Sequence, residues 1–368
     1  MKRIATKLSV PNGVIWKICL FLLCISLCVS FPCSAQQKGK YKLVFHWETS
    51  AGRQNIVNWP YRPNGYFQWL VKNHTGDRVE FETREKLYGA SESVLAVGDG
   101  RVDMGNQIVA YSSGTYPLFD FGALPGLFSI GPEGATEWAN SLLDPDMKRI
   151  LARYARKANL VFLGANTSTA QQTVWAHREV AKVEDFKGLK LRASGLIQTV
   201  TLSSLGASPL TLATGEVFEA LRRKTVDGIV TSLLFGIEIG LMDVCAYAST
   251  WPITPIFGSM VVMNARKFDA LPRDLQEGLL KAGEGLTKAG PAMVENLYYT
   301  YPRWLESVRK TTLVTVPDEE LKKAARMWEP AIRKWLEVSG PEGKEVLKIA
   351  LKYANGPSKP VVAKILQE

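Results

Sequence analysis

The chain has 368 residues and a mass of 40.8 kDa, with 45 Lys and Arg against 35 Asp and Glu for a formal net charge of +10. Its 46% apolar content and lack of low-complexity runs exclude a disordered chain. At about 150 residues per domain, the length points to two domains.

The first 35 residues stand apart. They hold Lys2, Arg3, Lys7 and Lys17 and no acid, together with Cys19, Cys24, Cys28 and Cys33. The uncharged run Ile18–Phe31 is 14 residues long, shorter than the roughly 20 that span a bilayer. A basic start, a short apolar run and Cys33-Ser34-Ala35 before Gln36 read as a secretory signal peptide cut after Ala35. The alternative reading is an uncleaved anchor, whereas a lipoprotein lacks support because no small-residue lipobox precedes a cysteine. Cleavage would leave 333 of the 368 residues, remove four of the 45 basic residues and bring +10 to +6. One cysteine, Cys245, would remain, so the exported chain has no internal disulfide and needs a large core. Within Val244-Cys245-Ala246-Tyr247 that thiol reads as a buried packing residue.

In chain order, a strand is expected over 41–47, where Leu43, Phe45 and Trp47 alternate, then a helix over 63–73 and a strand over 78–83. Further helices are expected over 134–143, 146–158, 273–290, 292–309 and 318–338. Strands are expected over 160–164, 189–193, 259–264 and 313–316. Recurring strand, helix and strand argue for α/β layers with parallel strands. No long linker divides the chain, so two domains would be built from interleaved segments. Residues 92–103 can also be laid on 216–227, with Glu, Ala, Val and Asp coinciding. That similarity reads twice as a helix, a turn and a strand ending in Asp103 or Asp227. In open α/β sheets ligands bind beyond the carboxyl ends of strands, so two such ends would form a cleft.

Catalytic signatures are missing: no Gly-x-Ser-x-Gly elbow, no His-Glu-x-x-His, no Cys-x-x-Cys and no phosphate-binding loop. His46, His74 and His177 are far apart and read as structural or solvated. Positive charge is dispersed among acids, as over 303–310, which argues against nucleic acid. An enzyme is therefore not expected, nor a cofactor or metal. The anion candidate lies in Lys187-Gly188-Leu189-Lys190-Leu191-Arg192-Ala193-Ser194-Gly195. Leu189, Leu191 and Ala193 share one strand face and Lys190 and Arg192 the other. A guanidinium at that carboxyl end could grip a carboxylate bidentately; a plain surface arginine is the competing reading.

The run Asp185–Arg192, then Leu205-Gly-Ala-Ser-Pro209, Gly215-Glu-Val-Phe-Glu-Ala-Leu221 and Val226-Asp-Gly228 resembles the solute-binding proteins of tripartite ATP-independent periplasmic (TRAP) transporters, the dicarboxylate-binding DctP type. Leu87-Tyr-Gly89, Gly100–Gly105, Ala123–Phe128 and Phe268–Gln276 match that family in its order. The resemblance implies a two-lobed α/β periplasmic binding protein fold with interleaved segments, crossing strands and a long connecting helix. On that basis residues 36–169 plus 258–297 are expected as lobe I and 170–257 plus 298–368 as lobe II. It implies a periplasmic monomer that closes on a small organic acid and delivers it to a TRAP membrane permease. It assigns the substrate carboxylate to Arg192.

Departures from the family pattern are specific. Thr231 stands where many members have a ligand-binding Asn. Gln172 stands where sialic-acid binders have a second Arg, and Thr214 where they have an aromatic ring. Sialic acid is therefore not the expected ligand. The remaining cleft candidates come from strand ends and adjoining loops: Trp47, Asn106, Gln107, Tyr88, Trp175 and Arg53. Trp rings among polar groups suit a small anion with an apolar or hydroxylated body. A sulfonate could replace the carboxylate. A second reading keeps the same site but presents the anion to a membrane sensor.

Overall fold

Alternating apolar residues begin the first sheet. In the computed structural model, which describes residues 39–47, 63–85, 87–167, 172–212, 214–308 and 310–368, β1 (Tyr41–Trp47) buries Leu43 and Phe45 on one face. The expected signal segment 1–35 and Arg53 lie outside the described residues. After α1 (Pro63–Thr75) comes β2 (Val79–Glu85), parallel to β1. Next come α2 (Ser93–Gly98), β3 (Met104–Ile108) and two 3-10 turns, Val109–Ser112 and Pro117–Ala123. Helices α3 (Pro132–Leu143) and α4 (Pro145–Lys157) each begin with proline, whose fixed φ suits the first helical position. The Asp144 side chain caps α4 by accepting the Asp146 N–H at 2.9 Å. The chain then enters β4 (Leu160–Thr167).

From β4 the chain passes to a second sheet through β5 (Gln172–Ala176). There follow β6 (Lys190–Ala193), α5 (Leu196–Ser204), β7 (Ser208–Thr211), α6 (Val217–Arg222), β8 (Gly228–Ser232), α7 (Leu233–Glu238) and β9 (Tyr247–Ser249). It returns in β10 (Gly258–Asn264), followed by α8 (Ala265–Asp269) and α9 (Arg273–Val308). Then β11 (Thr312–Val314), α10 (Asp318–Met327), α11 (Glu329–Ser339), α12 (Pro341–Tyr353) and α13 (Lys359–Ile365) complete it. The first sheet runs β2-β1-β3-β10-β4 and the second β11-β9-β5-β8-β6-β7. The strands that carry the chain between sheets, β5 and β10, are antiparallel to their neighbours.

Two helix expectations are corrected. The helices expected over 273–290 and 292–309 are one 36-residue helix that runs through Pro291 and Pro302. Each proline removes one backbone bond, but Leu286, Val294, Tyr301 and Leu305 are buried on either side and hold both halves. The single helix expected over 318–338 is two, parted at Trp328, which is fully buried, with Pro330 in the first turn of α11. Residues 329–365 bury Ile332, Trp335, Leu347 and Val362 in one core with Leu118, Trp138 and Met147 and with Ile197 of α5. The Trp335 Nε1–H donates to the Pro117 carbonyl at 2.9 Å. Ala324, Ala325 and Trp328 instead join the second sheet's core with Leu191 and Val230.

The internal similarity is realised in matching places. Helices α2 and α6 precede β3 and β8, but each aspartate stands just before its strand and does not end it. Asp103 Oδ2 accepts the Val44 N–H of β1 at 2.8 Å, and Asp227 Oδ2 accepts the Lys190 N–H of β6 at 2.8 Å. In return the Asp103 N–H donates to the Val44 carbonyl at 3.1 Å and the Asp227 N–H to the Lys190 carbonyl at 2.8 Å. The same carboxylate clamp therefore fixes β1 against β3 and β6 against β8. Through it His46 and Arg192, each two residues beyond a clamped amide, occupy equivalent strand ends.

Candidate functional site

Gly188, with φ +75°, turns the chain into β6, a conformation glycine adopts without strain. Lys190 is exposed at the strand start, whereas Arg192 is only 4% exposed. Strands β7 and β8 flank β6 and pair Arg192 with Leu210 and Ile229. The guanidinium donates from Nη1 to Ser194 Oγ at 2.7 Å and from Nε to the Leu212 carbonyl at 3.3 Å. Of its five N–H donors, these fix two and set its plane. No carboxylate among the described residues lies within 4.0 Å of it. A buried cation without a counter-ion is costly.

On β8, Ile229 and Thr231 share the face of Arg192, and Thr231 is 6% exposed. Thr173 of β5 lies opposite and donates its hydroxyl to the Thr231 carbonyl at 3.1 Å. Gln172 alternates onto the other face with Val174, so it does not line up directly with Arg192. It joins the site through neighbours: Gln198 Nε2 donates to Gln172 Oε1 at 2.6 Å, and the Ser194 N–H donates to Gln198 Oε1 at 2.6 Å. Gln172 Nε2 is buried and has no partner among the described residues.

The other expected residues scatter. Trp175 is fully buried against α7: a Cβ at Gly236 would come within 2.3 Å of its ring, so it is core. Trp251 is likewise buried, donating to the Val180 carbonyl at 2.7 Å. Tyr88 is half-buried between the Arg101 guanidinium, 4.7 Å from the ring centroid, and the edge of His46. Gln107 is buried on β3 and donates to the Ala90 carbonyl at 2.6 Å, leaving Oε1 without a partner. Asn106 is half-buried beside it, opposite Trp47 of β1 and Val261 of β10. Thr214 opens the 3-10 turn before α6.

The sequence missed Ser194 and Gln198; Ser194-Gly195 beyond a strand end was the only signal. His46, read from the sequence as structural, is fully buried, with Nδ1 3.3 Å from the Arg84 carbonyl and Nε2 without a partner among the described residues. Burial holds its pKa below the usual histidine value. A separate groove of about 410 Å³ is lined by Leu233, Tyr298, Tyr301, Leu313 and Val316. It sits at the β11 edge, four strand spacings or about 19 Å from β6, and is not part of the Arg192 site.

Two sheets exchanging strands, a long helix spanning both and a buried arginine at a strand's carboxyl end define a two-lobed solute-binding protein. The chain belongs to the DctP family, bacterial extracellular solute-binding protein family 7, which residues 64–338 match. It is 25% identical over 256 residues to a solute-binding protein of Albidiferax ferrireducens, covering 64% of this chain and 74% of that one. It is 28% identical over 186 residues to a monocarboxylate 2-oxoacid-binding periplasmic protein of Nostoc, covering 50% of this chain and 49% of that one. Among solved structures, a Bordetella pertussis extracytoplasmic solute receptor binding pyroglutamic acid superposes with a TM-score of 0.72 at 21% identity, over 84% of this chain and 99% of that one. A TRAP periplasmic solute-binding protein from Desulfovibrio salexigens with bound orotic acid gives 0.72 at 16% identity, over 88% of this chain and 100% of that one. At these identities the structural likeness establishes the fold. No helix among the described residues is long and apolar enough to cross a membrane.

Proposed function

We propose that this chain is the periplasmic receptor of a TRAP transporter, exported by its N-terminal signal, which captures a small organic acid and delivers it to the membrane permease. The carboxylate is fixed by Arg192, with the Thr231 hydroxyl and the unpartnered Gln172 amide as further hydrogen-bonding groups. Lobe I holds the first sheet and lobe II the second, with residues 329–365 on lobe I. One observation carries the reading: Arg192 is 4% exposed with no carboxylate of the described residues within 4.0 Å. A relative named for 2-oxo acids and a structural neighbour holding pyroglutamic acid support a carboxylate. The test is a thermal-shift screen of refolded protein against pyroglutamate, pyruvate, orotate and small sulfonates, repeated with Arg192→Ala. Each hit is expected to weaken at least tenfold in the variant by calorimetry, about 1.4 kcal/mol. Undiminished affinity in a folded Arg192→Ala protein would sink the assignment.

A further inference from the structure

Three parts of the chain meet at one side chain in the first turn of α5. Gln198 is 5% exposed. Its Oε1 accepts the Ser194 N–H at 2.6 Å, and its Nε2 donates to Gln172 Oε1 at 2.6 Å and to Thr254 Oγ1 at 3.1 Å. Ser194 is the residue whose hydroxyl holds the Arg192 guanidinium. Gln172 is the first residue of β5, where the chain has just left the first sheet. Thr254 lies in 250–257, where it returns from β9 to β10. Gln172 and Thr254 are 1% and 2% exposed. Two residues earlier, the Leu196 N–H donates to Ser113 Oγ of the first lobe at 3.3 Å. Gly195 lies so close to that lobe that a Cβ there would fall 2.4 Å from the Ala110 carbonyl.

We propose that Gln198 is a positioning residue that ties the loop beyond Arg192 to two of the segments by which the chain passes between lobes, the start of β5 and the stretch between β9 and β10. A side chain of this length with a polar atom at each corner holds all three partners at once. Gln172 and Thr254 are sheltered from water and the Ser194 amide is part-buried, so losing these bonds strands buried polar groups. The guanidinium is thereby held in register with both crossings, and its place relative to lobe I is set before any anion arrives. The tie rests on the hydrogen bonds alone; its value for capture rests on the reading of Arg192 given above.

The test is hydrogen–deuterium exchange of the full chain with no ligand added. In Gln198→Met, the Ser194 amide and the amides of 172–176 and 250–257 are expected to exchange at least tenfold faster, with β1 and α4 unchanged. Gln198→Glu is expected to restore protection, because the Ser194 N–H, the Thr254 O–H and the spare Gln172 amide can all donate to a carboxylate. Faster exchange at Ser194 alone, an equal rise in both lobes, or no recovery in Gln198→Glu would each overturn the proposal. Failure of Arg192 as the anion site would leave this outcome as it is and show only in the binding screen.

Discussion

Two neighbours on one strand face differ sharply in fate: Lys190 is solvated and Arg192 is sunk to 4% exposure. The alternation Leu189, Leu191, Ala193 was legible and placed both charges on the opposite face. It could not say which charge would be covered, since that depends on the Leu212 carbonyl and on Ser194, brought in by β7 and the turn into α5. Gln198 was illegible for a related reason: its partners lie 26 and 56 residues away. Cys245 fulfilled its reading as a packing residue, 1% exposed, and burial pushes its thiol up to about 12. The thiolate is the reactive form. Cys245 is therefore expected to resist iodoacetamide at pH 8 in the folded protein and to react fully in guanidinium. Rapid native labelling would contradict the burial.

At the scale of elements, the repeated aspartates were visible as a pattern, while their work as clamps was not, because a carboxylate's acceptor role depends on which strand lies beside it. Asp103→Ala leaves the part-buried Val44 amide without its acceptor, a loss of about 2 kcal/mol. Asp103→Asn keeps a carbonyl oxygen there and is expected to recover much of it; urea unfolding of the two variants measures the difference. A second junction joins α4 to α9: Glu284 meets Lys148 at 2.9 Å and Lys288 at 2.6 Å. Hydrogen bonds from Lys288 and then Lys148 pull its pKa down to about 2, against an ordinary 4.5. A depressed carboxylate stabilises above its unfolded pKa and loses that contribution as pH falls through the folded one. The stability gap between the protein and Glu284→Gln is expected in full above pH 4.5 and to close toward pH 2. A gap unchanged across that range would remove the ion pairs from the account; with both partners about half exposed, it is a modest one.

For the whole molecule, the family resemblance gave a two-lobed fold with interleaved segments, and it stands. The packing of helices α11 to α13 in one core with Leu118, Trp138 and Met147 was not legible: they carry ordinary amphipathic patterns, and nothing in such a pattern names the face it meets. Lobe I depends on one close approach. A Cβ on Gly283 of α9 would lie 2.0 Å from the Leu163 carbonyl of β4, and one on Gly164 would lie 2.2 Å from the Gly283 carbonyl. Gly283→Ala must push helix and strand apart and is expected to destabilise by about 3 kcal/mol; chemical denaturation reads it. Wild-type stability would mean that the two backbones are not in contact.

That same helix has a mechanical consequence. At about 1.5 Å per residue its 36 residues reach about 54 Å. Leu275, Leu279 and Leu286 seat one length of it in the first sheet's core, and Tyr301 and Leu305 seat the other in the second's. Pro291 falls between the two seats, where the missing backbone bond makes bending cheap. A rod clamped at both ends with one soft joint resists stretching far more than flexing. Lobe movements it permits are rotations about the joint, and sliding of one lobe past the other is the movement it forbids.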